Sequence, residues 1–537
     1  MRTTKIVTKE EAVSKIHDGA VIVNTGMMLA CNCEAVLRQI ESSFLETGHP
    51  RGLTLMHSSS QSDRVGGIEH FAHVGLVDRM IGSHWGLAPR WMKLISENKI
   101  CAYNIPQGQM LHLLRSIACG EFGNITKVGL GTFIDPRIEG GKMNDLARER
   151  EDLYEILTLN GEEWMHYKPV YPDVVLIRGT SMDEDGNLGT EEEALKLELM
   201  TAALAVKRSG GIVIAQVKRL VKNGEIHPQR VAVPGTFIDY AVVSEDPEQT
   251  HRQCSTIYYS PAVCGDGKEQ LAASDAGALD IRFLIGRRAL LQAHKGDIIN
   301  MGIGIPNDTM GVILQQENLS GYLLPTVESG ICGGVALGGP DFGVGKNCMA
   351  IIPHEQQFDF YDGRGVDMCF MGVGEIDRFG NVNSTKMGNR APGAGGFIDI
   401  TQNAKSVVFC TTFTASGLSC SIDANGIRIE TEGQVHKFVD TVHQISFSAK
   451  MALQKKQRVV YITERAVFEL SAQGLVLTEL AQGADLERDV LAHMDFAPII
   501  APELKRTDAR LYLPSPFGLG QILKELQAEQ EERYGTV

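Results

Sequence analysis

The sequence predicts an α/β protein made of two homologous open α/β halves. Three observations carry that reading. Buried-type apolar runs rich in β-branched residues alternate with helical segments, the pattern of βαβ units. The pattern recurs: RGTSMDEDGNL at 178–188 matches MGVGEIDRFGNV at 371–382, and both end in D-x-x-G-N-[LV]. At 537 residues the chain also exceeds what one hydrophobic core normally supports.

The elements follow in order. Thr8 is an N-cap for a helix running to Ile16, with Glu10 and Glu11 in its first turn. Asp18-Gly19 turns into a strand over 20–24, Thr25-Gly26 closes it, and a helix follows over 34–42. The second half repeats this order with a helix at 287–291, the turn Lys295-Gly296-Asp297, a strand at 298–300 and the glycine loop 301–306, which holds Gly302 and Gly304. A helix at 309–316 comes next. Apolar strands at 211–217 and 406–411 follow the two repeat motifs. The polar, irregular text between the halves places an N-terminal subdomain at 1–245, a linker at 246–280 and a C-terminal subdomain at 281–537. The latter continues with strands at 458–463 and 466–470, a helix near 486–494 and a charged, solvated terminal helix.

Composition excludes several classes. A formal net charge of −15 argues against a nucleic-acid surface. No run approaches the ~20 apolar residues of a membrane span, and residues 1–20 do not read as a signal peptide. The 11 cysteines are scattered, with Cys31-Asn32-Cys33 the one close pair, so free thiols in a reducing cytoplasm are expected. His70 and His73 have no third ligand in view, and no metal site is expected. Ser58 to Ser60 lack the G-x-S-x-G elbow of a hydrolase. The loop with Gly129, Gly131, Arg137 and Lys142 fails both dinucleotide and P-loop fingerprints, which removes a nucleotide-dependent oxidoreductase. Its two cations could hold phosphate or carboxylate, or the loop could be plain surface.

One stretch carries chemistry. A β-favouring run at 322–327 delivers Glu328 to a turn holding Gly330, Gly333 and Gly334, with Gly338, Gly339, Gly343 and Gly345 close behind. A carboxylate at a strand end, faced by unencumbered backbone N–H groups, is what a nucleophile with an oxyanion hole requires. The matching first-half run, 53–60, ends without an acid, so only the second half supplies the carboxylate. Gly393-Ala394-Gly395-Gly396 is a second glycine turn and a source of oxyanion donors.

Taken with GTFIDPR-x-x-GGK-x-N at 131–144, the GGIVIAQV strand, the VPG turn at 233–235, TVESG-x-x-GG, QFDFYDG at 357–363, GAGGFIDI-T-QNAK, YITERAVF at 461–468 and MDFAP-II at 494–500, these residues resemble family I coenzyme A transferases over nearly the whole length. Among these, the resemblance is to the single-chain propionate, acetate or 3-oxoacid type. It implies two open α/β subdomains of the CoA-transferase kind with the active site between them. It also implies CoA transfer between a short-chain acyl-CoA and a free carboxylic acid in a ping-pong scheme through a glutamyl–CoA thioester. Glu328 matches the family nucleophile, Gly395 or Gly396 an oxyanion donor, and Asn383 an asparagine that holds the glutamate. Gln107, in Pro106-Gln107-Gly108, resembles a segment lining the acyl pocket, and Gly302 and Gly304 are substrate-binding candidates. The first-half loop Thr25 to Asn32 departs from the family's G-x-G-x-P pattern. No cofactor beyond the CoA substrate, a cytoplasmic location and a homotetramer or homodimer are further expectations. An acyl-CoA hydrolase with the same intermediate and a silent acyl-CoA sensor are the competing readings.

Overall fold

The repeat motif folds twice into the same structure. In the first copy Asp183 Oδ1 accepts from the N–H groups of Asp185 and Asn187 at 3.0 and 2.8 Å, and Oδ2 accepts from Asn187 Nδ2 at 2.9 Å. In the second, Asp377 accepts from the N–H groups of Phe379 and Asn381 and from Asn381 Nδ2, all at 2.9 Å. Gly186 and Gly380 sit at φ +81° and +87°, where a side chain is disfavoured, so the motif keeps its glycine. This is a computed structural model, and it describes residues 4–270, 279–388 and 390–534. Part of the expected linker, 271–278, lies outside the described residues.

Contacts divide the chain into two units. The first comprises Met1–Glu269, Val327–Gly363 and Gly388–Asp399, and the second Gln270–Thr326, Arg364–Met387 and Ile400–Val537. That departs from a division at 245 and 281, because two later segments are tied to first-unit side chains. Asp341 accepts from the Thr256 N–H at 3.0 Å, Lys346 pairs with Glu269 at 2.6 Å, and Asp359 pairs with Arg115 at 2.7 Å.

The first unit is built on a parallel sheet ordered Lys5–Ile6, Tyr240–Val243, Ile212–Leu220, Val174–Met182, Val21–Asn24, Leu53–His57, Val77–Gly82, Cys101–Asn104. The chain steps outward from Val21–Asn24 to Cys101–Asn104, then returns to Val174–Met182 and steps the other way. Such reversals create crevices at the carboxyl ends of the strands. Val174–Met182 is buried at every position, as expected for a central strand covered on both faces. Register places His57, Gly82 and Asn104 side by side at their strand ends.

The second unit reproduces this core. Leu324–Val327, Ile298–Met301, Met368–Gly372 and Ser406–Cys410 lie parallel in that order, matching Leu53–His57, Val21–Asn24, Val174–Met182 and Ile212–Leu220. Arg458–Ile462 adds a further parallel strand beside Ser406–Cys410, and Ala466–Ser471 and Gly474–Leu480 then extend the sheet antiparallel. Ile299, Phe370, Val408 and Val460 pack on Leu284, Met310, Ile313 and Ile522 from the flanking helices. The glycine loop opens a helix over Ile305–Gln316, with Gly304 at φ +102° as its cap. The stretch near 486–494 is not an α-helix: a π turn over Leu486–Val490 runs into a 3-10 turn over Leu491–His493. Its Asp489 accepts from Arg488 and from the Asp485 N–H instead of leaving a regular helix face.

Candidate active site

Glu328 leaves the Leu324–Val327 strand as the second residue of a tight turn closed by the Gly330 N–H donating to the Val327 carbonyl at 3.0 Å. Gly330 has φ +103°, and a Cβ there would lie 2.1 Å from the Ile352 carbonyl oxygen, so nothing larger fits. Ser329 is fully buried and its hydroxyl donates to the Gly343 carbonyl. Glu328 itself is half-buried. Sequence at this point thus converts directly into a carboxylate on a rigid corner.

The second glycine turn is clamped to two parallel strand ends of the same unit, those of Val77–Gly82 and Cys101–Asn104. Asn104 Nδ2 donates to the Gly82 and Ser83 carbonyls at 2.9 and 2.7 Å, and its Oδ1 accepts the Ala394 N–H at 3.0 Å. The Gln107 N–H donates to the Gly395 carbonyl at 2.9 Å, and the Trp85 N–H to Pro392 at 2.8 Å. A Cβ on Gly393 would come within 2.5 Å of Asn104 Nδ2 and the Ser83 oxygen. The turn is therefore held by backbone contact that only glycine permits.

This clamp corrects one expectation. The Gly395 N–H donates to the Ser83 carbonyl at 2.8 Å and is not available to an oxyanion. Gly396 is buried, and its N–H has no acceptor among the described residues. Asn383 is also committed within its own turn in the second unit. Its amide donates to Glu375 Oε2 at 2.7 Å and to the Lys386 carbonyl, and its oxygen accepts from the Thr385 and Lys386 N–H groups. Asn383 therefore shapes that turn, with its amide N–H groups committed to Glu375 and Lys386. Gly302 and Gly304 stand in the second-unit loop; a Cβ on Gly302 would meet Met371 Sδ at 2.8 Å, while Gly304 faces open space.

Gln107 begins the helix Gln107–Cys119 and is joined to side chains the sequence did not single out. Its Nε2 lies 2.8 Å from His354 Nε2, His354 Nδ1 lies 2.8 Å from Glu198 Oε2, and Ser58 Oγ donates to Glu198 Oε1 at 2.6 Å. All four are buried, with His354 at 0% exposure. Nearby, Gln109 Nε2 donates to Asp362 and Asp399 at 2.7 and 2.8 Å. Burial, reinforced by the Asp362 charge, pushes the Asp399 carboxyl well above the usual carboxylate range. His57 is packed against Gly82, where a Cβ would sit 2.0 Å from Nε2, and burial lowers it to about 4.

The other sequence candidates have structural partners. Arg137 pairs with Asp135 and Glu163 at 2.8 and 2.7 Å, and Lys142 with Asp152 at 2.6 Å, so neither cation waits for a phosphate. His70 bridges Glu34 and Glu41, and His73 also meets Glu41.

A doubled parallel α/β core with a carboxylate turn and a clamped glycine turn is the framework of a CoA-transferase. The family model described as "Coenzyme A transferase" matches residues 6–244, and the chain belongs to that family, placing it among the transferases. It is 37% identical over 515 residues to "Acetate CoA-transferase YdiF" of Escherichia coli K12, covering 96% of each chain. It is 38% identical over 527 residues to "Caffeate CoA-transferase" of Acetobacterium woodii, covering 97% of this chain and 99% of that protein. Among solved structures, the acyl-CoA transferase YdiF of E. coli O157:H7, described as a thioester complex with CoA, superimposes with a TM-score of 0.90 at 36% identity. That match covers 96% of this chain and 97% of the other. Among the described residues no helix is long and apolar enough to cross a membrane.

Proposed function

We propose that the protein transfers CoA from a short-chain acyl-CoA to a free carboxylic acid, with Glu328 as the covalent carrier. The observation that carries this reading is the rigid corner that presents Glu328: a turn closed by Gly330 that tolerates no side chain at that glycine. The solved relative described as a CoA thioester complex supports a thioester on the enzyme.

In the first step the Glu328 carboxylate attacks the acyl-CoA carbonyl, the C–S bond breaks, and an acyl–glutamyl anhydride and CoA thiolate result. The thiolate attacks the glutamyl carbonyl, the anhydride C–O bond breaks, and the first acid leaves as its carboxylate. The acceptor carboxylate then reverses both steps. Each passes through a tetrahedral oxyanion, where one well-placed donor contributes ~3 kcal/mol. The Gly396 N–H and the Gln107 amide are the proposed donors, and the strand-end clamp holds both in place. Gly302 and Gly304 are proposed to admit the substrate close to the backbone. No cofactor beyond CoA enters this scheme, and a homodimer or homotetramer is the proposed assembly.

The test is steady-state kinetics with acetyl- or propionyl-CoA and a series of short-chain and aromatic acids. Parallel double-reciprocal lines, with free CoA appearing no faster than acid-dependent product, support the proposal. CoA release at full rate without any acid would make the protein a hydrolase.

A further inference from the structure

Ser58, Gln107, Glu198 and His354 are far apart in sequence, yet their side chains form one buried chain of hydrogen bonds. The donors and acceptors along it run in one direction. The Ser58 hydroxyl donates to Glu198 Oε1, and as a carboxylate Glu198 can only accept through Oε2, which assigns the proton of that contact to His354 Nδ1. The Gln107 amide nitrogen can only donate, so the lone pair of His354 Nε2 accepts from it. At the far side of the amide, Gln107 Oε1 stands 3.7 Å from where a Cβ on Gly395 would lie. A primary amide is nearly symmetric in shape, and turning it by 180° exchanges oxygen and NH2 at little steric cost. What prevents the turn is the polarity of the partner beyond it.

We infer that Glu198 and His354 are positioning residues that fix the orientation of the Gln107 amide, so that its second N–H is kept for the developing oxyanion. This rests on the transferase reading above. His354 touches no substrate in this account and acts only through Gln107. Reversing the amide would present an oxygen to an anion, replacing attraction with repulsion. A carboxylate is required at 198 because it has no proton to offer His354 Nδ1, and a histidine at 354 because it relays that polarity across one ring.

The test uses the full-length enzyme. His354→Phe removes the acceptor for Gln107, while His354→Gln places a carbonyl oxygen within its reach. The expected result is a kcat at least tenfold lower in H354F, a recovery to within about threefold of wild type in H354Q, and no further loss when H354F is added to Q107A. If H354F lowers the melting temperature strongly by stranding the Glu198 charge, the same comparison is made with the pair E198Q/H354F, which leaves no lone carboxylate. Losses that multiply in the double variant with Q107A, or a full rate in H354F, overturn the proposal. A second readout is independent of turnover: 15N-histidine spectra should show His354 neutral, protonated on Nδ1, with its Nε2 resonance moving in Q107A. An Nε2–H tautomer overturns the inference even in an active enzyme. A wild type that transfers no CoA yet shows the Nδ1–H tautomer instead removes the transferase reading and leaves the polarity of the chain standing.

Discussion

Asn104 joins two parallel strand ends to the glycine turn, and replacing it gives the most direct reading of that clamp. Asn104→Ala removes the bonds to the Gly82, Ser83 and Ala394 backbone groups, all at 2.7 to 3.0 Å around a fully buried side chain. At about 1 kcal/mol net for each bond, the loss of folding stability is ~3 kcal/mol. Asn104→Asp is a sharper probe, because it keeps the acceptor for Ala394 but points carboxylate lone pairs at two carbonyls. The folded protein can accept that only with the acid protonated, so its pKa rises above the unfolded value. Its stability is then retained below about pH 4 and declines as pH rises through the raised folded pKa. Urea unfolding and initial rates at pH 5.5 and 8 measure both. The expected outcome is ~3 kcal/mol lost in N104A with a rate at least tenfold lower, and N104D closer to wild type at pH 5.5 than at pH 8. N104A within ~0.5 kcal/mol of wild type, or an N104D deficit unchanged by pH, would refute the clamp.

Other outcomes follow from the same geometry. Gly330→Ala puts a Cβ 2.1 Å from the Ile352 oxygen at φ +103°, so turnover should fall at least ~10-fold with a loss of ~2 kcal/mol or more in unfolding experiments. Asp399 keeps its proton in the folded state well above the usual carboxylate range, so its stabilising effect is lost as pH rises from about 4. Asp399→Asn should therefore melt higher than wild type at pH 8 and show no such gain near pH 4, by scanning calorimetry. His57 is lowered from 6.5 to about 4, so the unfolded chain takes the proton first on acidification. Stability from this group is present above pH 6.5 and lost between 6.5 and 4, in total ~3 kcal/mol, and a His57→Asn variant should show a flatter acid limb.

The doubled sheet was legible because its strands are short apolar runs and its Asp-Gly-Asn turns are local chemistry: Asp183 and Asp377 bond residues two and four positions on. Glu328 and the turn at 393–396 were legible for the same reason, since a strand end and a glycine cluster are read over a few residues. What stayed hidden depends on distant pairing. Ser58, Glu198 and His354 carry no local signature, and only the fold brings them to Gln107. The commitments of the Gly395 N–H to Ser83 and of the Asn383 amide to Glu375 are likewise tertiary facts. Lys142 looked available because Asp152, its partner in space, stands apart from it in sequence, as does Glu163 from Arg137, whereas the pairing of Arg137 with Asp135 is local and depends on how the loop turns. The attachment of Val327–Gly363 to the first unit rests on long-range ion pairs that no composition shift announces.

The central claim is the covalent bond between CoA and Glu328. Incubation of the full-length protein with acyl-CoA and no acceptor acid, followed by direct peptide mass analysis, reads it directly. The account calls for a CoA-derived modification on the peptide containing Glu328, discharged by added acid and missing in Glu328→Ala. An unmodified Glu328 peptide from protein that exchanges CoA at full rate would contradict it.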